Sequence, residues 1–98
     1  MKLNINKEKL ENICQQYDVQ KLHFFGSVVH GDFSNSSDID ILVEFLPGKK
    51  PSLLGLGRMQ QDLEGIFKRE VDLKTPGFFK KENLNSILEE SRLQYEAA

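Results

Sequence analysis

The chain has little with which to cross-link itself, bind metal through sulfur or enter a membrane. Its 98 residues include one cysteine, Cys14, and no tryptophan. A single cysteine closes no internal disulfide, and no Cys/His spacing has the form of a zinc site. No apolar run approaches the roughly 20 residues that cross a bilayer. The N-terminal stretch MKLNINKEKLENI lacks the apolar centre of a secretory signal, so a cytoplasmic protein is expected. An excess of one charge is also missing, because 13 Lys+Arg against 15 Asp+Glu leave a net charge of −2. The basic residues fall into short pairs, Lys49-Lys50, Lys68-Arg69 and Lys80-Lys81. These read as solvated faces rather than a track for phosphates, which disfavours nucleic acid as the main partner. With 39% apolar and 29% charged residues, residues 1–98 are expected to form one globular domain around one core.

Periodicity outlines the elements. Leu10, Ile13, Cys14 and Tyr17 recur at i, i+3, i+4 and i+7, one apolar stripe of a helix for which Asn6 is an N-cap. Cys14 is then a small core residue. VQKLHFF reads as a strand stopped at Gly26, with His23 inside it as a partly buried, hydrogen-bonded side chain. A short helical turn, VVHGD, and a polar loop, FSNSS, lead to IDILVEF, a second strand. After the break LPGKKP, Ser52 caps a helix carrying Leu53, Leu56, Met59, Leu63, Ile66 and Phe67, weakened by Gly55, Gly57 and Gly65. EVDLKT is a short strand ended by Pro76-Gly77. The last segment, ENLNSILEESRLQYEA, places Leu84, Ile87, Leu88 and Tyr95 at helical spacing, with a tail that also fits an extended chain. The expected fold is α/β (α+β), a small mixed sheet flanked by helices, with helices on one face and the other face open.

Side chains alternate along a strand. Ile39, Ile41, Val43 and Phe45 therefore point to the helices, and Asp38, Asp40, Leu42 and Glu44 to the open face. In EVDLKT, Val71 and Leu73 take the core side while Glu70, Asp72 and Lys74 take the other. If the two strands are neighbours, Asp72 joins Asp38 and Asp40. Such clustered carboxylates repel one another and raise one another's pKa. A divalent cation reverses that argument, since two aspartates about 7 Å apart on a strand converge on one or two ions. Hard Mg²⁺ takes a few carboxylates together with phosphate oxygens.

D-x-D alone reads more readily as a solvated sheet face. The upstream pair changes this. Gly26-Ser27 follows a strand and opens a helical turn, where a bare glycine lets backbone approach a phosphate and a serine hydroxyl and helical N–H groups donate to it.

Gly26-Ser27, ten intervening residues and then Asp38-Ile39-Asp40 resembles the GS-x10-D-x-D signature of the DNA polymerase β-like nucleotidyltransferases. With no length for a substrate domain, the chain is similar to the smallest of them, the minimal nucleotidyltransferase antitoxins paired with HEPN-domain toxins. The resemblance extends to Gly31, the Ser37-Asp38 step and EVDLKT. It implies Mg²⁺-dependent transfer of AMP from ATP to a hydroxyl, the acceptor being a tyrosine of the HEPN ribonuclease toxin, which is silenced. On this resemblance Asp38, Asp40 and Asp72 are the catalytic, metal-holding carboxylates, and Gly26, Ser27 and Ser37 contact the nucleotide. Many relatives follow the serine with arginine, where this chain has Val28. A second reading is a non-catalytic antitoxin that neutralises its toxin by binding, through apolar residues such as Phe78 and Phe79. Transfer to a small molecule or a DNA strand is weaker, because those relatives carry an additional domain.

Overall fold

In a computed structural model, which describes residues 5–31 and 38–98, Asn6 opens the first helix as its side chain requires. Its carboxamide oxygen accepts the Lys9 N–H at 3.1 Å, capping α1, Lys7–Gln16. That helix buries Leu10 and Cys14, and the Tyr17 hydroxyl beyond it donates to Asp62 at 2.6 Å. The chain then runs through β1 (Val19–Phe25), a single-turn helix α2 (Ser27–His30) and β2 (Ile39–Phe45). Ser52 caps α3, Leu53–Phe67, by accepting the Gly55 N–H at 3.2 Å. After α3 come β3 (Val71–Lys74), a 3-10 turn (Pro76–Phe78), α4 (Lys81–Glu90) and β4 (Arg92–Glu96).

The sheet order is β3-β2-β1-β4. β1 is antiparallel to both neighbours, while β2 and β3 run parallel. A parallel pair needs a long crossover, and α3 lies within it. α3 buries Met59, Leu63 and Phe67 against the sheet side of Leu22, Phe24, Ile39, Ile41 and Val43. Phe24 and Phe67 meet edge to face, with ring centroids 5.6 Å apart. The alternation read from the sequence therefore places the core correctly, in a mixed sheet flanked by helices.

Two details differ from expectation, and an alternative left open for the tail is resolved. Leu53 is 85% exposed: the Ser52 cap starts α3 ahead of the sheet, and the first buried position is Met59. Tyr95 is not on a helix. Ser91 leaves α4 with extended backbone, its amide bonding the Ile87 and Leu88 carbonyls, and the tail pairs with the outer edge of β1. The second face of the sheet is only partly open. Leu42, on the side expected to be polar, is completely buried, and its cross-strand partner His23 is buried as well. The 3-10 turn lies against β2 and α4 against β1, because the aromatic second-face residues of β1 need cover. Phe79, for example, meets Phe25 edge to face at 5.9 Å. What stays accessible is the end of the face carrying Asp38, Asp40 and Asp72.

Leu63 is fully enclosed, so Leu63→Ala leaves a cavity. It is expected to lower stability by about 2–5 kcal/mol, read from the urea midpoint.

Candidate active site

The site begins with a backbone conformation. Gly26 has φ 71° and ψ −144°, a region that glycine alone occupies comfortably. A Cβ at this position would run into the carboxyl group of Asp40. The absent side chain thus lets the end of β1 lie directly against the aspartate. Gly26 then starts α2, its carbonyl accepting from Val29 at 3.0 Å and His30 at 3.1 Å. The Ser27 backbone N–H donates to Asp40. Val28 and Val29 pack at the margin of the core, and Gly31 ends the turn in the left-handed conformation.

Strand order supplies the second carboxylate. Asp40 is the register partner of Phe25 on β1 and of Asp72 on β3. Adjacent strands lie about 4.8 Å apart, so two aspartates are held side by side on one face. Asp38 immediately precedes β2 and is exposed; the next residue, Ile39, is fixed by its N–H donating to the Glu70 carbonyl at 2.9 Å. Of the expected site residues, Gly26, Ser27, Asp38, Asp40 and Asp72 stand at this end of the sheet. Ser37 lies outside the described residues.

The electrostatics follow from this crowding. Burial raises the Asp40 pKa above the usual aspartate value, and the charge of Asp72 adds to the effect. Lys74 opposes it; Asp38 raises the pKa further and the Ser27 N–H lowers it. Lys74 was not singled out as a site residue in the sequence, although its position two residues after Asp72 puts it on the same face. Its Nζ lies 3.2 Å from Asp72 Oδ2 and 5.9 Å from the centre of the Phe79 ring. Among the described residues no three His, Cys, Asp or Glu side chains are gathered as a metal cage. The donors at the site are nonetheless hard carboxylate oxygens whose repulsion a cation would relieve, which suits Mg²⁺ better than a thiophilic metal.

Other reactive side chains are engaged elsewhere. Burial pushes the Cys14 thiol up to about 12, which leaves it an inert core residue. His23 is buried between Glu44, at 2.8 Å, and the Ser91 hydroxyl, at 3.4 Å. A cavity of about 340 Å³ opens at the far end of β2, between Glu44, Lys50 and Pro76. It touches none of Asp38, Asp40 and Asp72, so the chemistry is better sought at the carboxylates than in this hollow. Among the described residues no helix is long and apolar enough to cross a membrane.

Fold and site together define an α/β protein that presents paired aspartates beside a glycine-opened turn. The chain belongs to the nucleotidyltransferase domain family, whose model matches residues 7–94. It is 41% identical over 75 residues to a candidate protein adenylyltransferase of Methanocaldococcus jannaschii, covering 76% of this chain and 78% of that one. It is 32% identical over 88 residues to the protein adenylyltransferase MntA of Thermococcus cleftensis, covering 90% and 84%. Among solved structures, a toxin–antitoxin with AMP-PNP shares the fold at TM-score 0.74 and 20% identity, over 95% of this chain and 75% of that one. A tri-AMPylated Shewanella oneidensis HEPN toxin in complex with its MNT antitoxin matches at TM-score 0.65 and 18% identity, over 94% and 71%.

Two outcomes are expected. Gly26→Ala combines a strained φ with a clash on Asp40 and is expected to cost about 1–3 kcal/mol in urea unfolding. The raised Asp40 pKa means that the folded, metal-free protein holds this proton more tightly than the unfolded chain does. That stabilisation is complete below the ordinary aspartate range and is lost as pH rises through the raised value. Asp40→Asn removes the charge and keeps a side-chain oxygen. It is therefore expected to melt above the wild type at neutral pH without metal, with the gap closing at acidic pH in thermal scans.

Proposed function

We propose that this chain is the antitoxin of a HEPN toxin and transfers AMP from ATP to a hydroxyl, that of a tyrosine, on the toxin. The observation that carries the reading is the in-register pair Asp40–Asp72 set against the Gly26-Ser27 turn. The family match and the adenylyltransferase relatives support the reaction class. The AMPylated HEPN toxin seen with an antitoxin of the same fold supports the partner class. Use of ATP as donor fits a cytoplasmic protein.

In this reading Asp38, Asp40 and Asp72 hold Mg²⁺. When bound, the ion supplies neutralisation of phosphate charge and a template for in-line displacement at the α-phosphorus. The chain's own residues do the rest. Gly26 allows close backbone approach, and Ser27 offers its hydroxyl to phosphate oxygens. Asp72, half-buried and adjacent to Asp40, accepts the proton leaving the acceptor hydroxyl as that oxygen bonds to the α-phosphorus. Pyrophosphate departs as the bond from the α-phosphorus to the bridging oxygen breaks. The closed cover over Leu42 and His23 confines this chemistry to the Gly26 end of the face.

The test mixes purified chain, its cognate HEPN toxin, Mg²⁺ and α-labelled ATP. Label is expected on the toxin, and Asp40→Asn should lower the transfer rate by about two orders of magnitude or more with an unchanged circular dichroism spectrum. A bound complex that never takes label overturns the reading. Phe78, 65% exposed, favours a second reading, neutralisation by binding alone. Protection of cells by the Asp38→Asn/Asp40→Asn double variant at wild-type level would select it.

A further inference from the structure

Lys74 has no part in the reaction just described, yet it is anchored at the site. Its Nζ is 3.2 Å from Asp72 Oδ2, and its side chain is only 34% exposed. The ammonium also sits 5.9 Å from the centre of the Phe79 ring, which is braced edge to face by Phe25 at 5.9 Å. Phe25 is the register partner of Asp40. One contact chain therefore runs from Lys74 through two aromatic rings to the acidic strand, and another runs directly through Asp72. The charge reaches Asp40 as well, where it opposes the effect of burial.

The turn that faces the carboxylates supplies no such cation. Val28 and Val29 pack against the core, and His30 on the same helix is bound to Glu90 of α4 at 3.0 Å. A triphosphate brought to this site carries several negative charges next to two or three aspartates. Something other than α2 has to meet that charge. A lysine ammonium on a flexible four-carbon stem is an effective phosphate binder and can change partners by rotation of that stem.

We propose that Lys74 is a nucleotide-binding residue: its ammonium holds the carboxylate pair in the metal-free protein and turns to the polyphosphate oxygens of the nucleotide when a divalent cation takes the carboxylates. This deepens the nucleotidyl-transfer reading and rests on it. The ammonium and the metal ion compete for Asp72, so removing the lysine should help the metal and harm the nucleotide. A lysine that merely braces Phe79 would do neither.

The experiment compares wild type, Lys74→Met, Lys74→Gln and Lys74→Arg in two titrations. The first uses Mn²⁺ alone, followed by electron paramagnetic resonance. The second uses AMP-PNP with Mg²⁺, followed by calorimetry. Both neutral variants are expected to bind Mn²⁺ several-fold more tightly and AMP-PNP about tenfold more weakly, the size of one charge-assisted contact. Lys74→Arg should keep both affinities within about twofold of wild type. Wild-type affinities in a folded neutral variant overturn the proposal, as does a wild-type protein that binds no AMP-PNP. If wild type binds Mn²⁺ and AMP-PNP but never labels the toxin, the transferase reading fails. The two titrations still decide the role of Lys74.

Discussion

Two aspartates held in register on adjacent parallel strands repel each other, and much of this structure concerns how they are held there. Asp40 is fixed from one side by the Ser27 amide and by the bare backbone of Gly26. Asp72 is fixed from the other by Lys74. Behind them, Ile39, Ile41 and Val43 are completely buried under α1 and α3. The strand pays for a charged edge with an apolar back. Such a local cost is the usual mark of a site built to receive something of opposite charge.

The cover on the second face has a functional consequence. By burying Leu42 and His23, the 3-10 turn and α4 leave the acidic end as the accessible part of that face. His23 shows how firmly the cover is attached: its ring bonds Glu44 of β2 and, through Ser91, the end of α4. His30 and Glu90 link α2 to α4. The helix closing the face is thus tied to β1 through His23 and to the turn beside the carboxylates through His30.

Local chemistry made the helices legible in the sequence. Asn6 and Ser52 cap where their side chains predict, and the Leu10/Cys14 and Met59/Leu63 stripes face inward. Alternation in IDILVEF sorted the core from the acids correctly except at Leu42, whose burial depends on a turn and helix far along the chain. β4 was ambiguous, since SRLQYEA suits either a helix or a strand and only the unpaired edge of β1 decides between them. The acidic residues were legible as types, but their meeting depended on strand order. The contact of Gly26 with Asp40 is purely tertiary: a glycine after a strand announces a turn, not the carboxyl group it makes room for. Lys74 read as one more polar residue on a short strand until Asp72 and Phe79 were seen around it.

Nuclear magnetic resonance with Mn²⁺ and ATP tests the central claim most directly, that the acidic end of the sheet receives a metal-bound nucleotide. On this account sub-stoichiometric Mn²⁺–ATP broadens the amide signals of Gly26, Ser27, Asp40 and Asp72 first, while those near Lys50 and Pro76 persist. Broadening centred on Lys50 and Pro76, or none that singles out the aspartates, would contradict it.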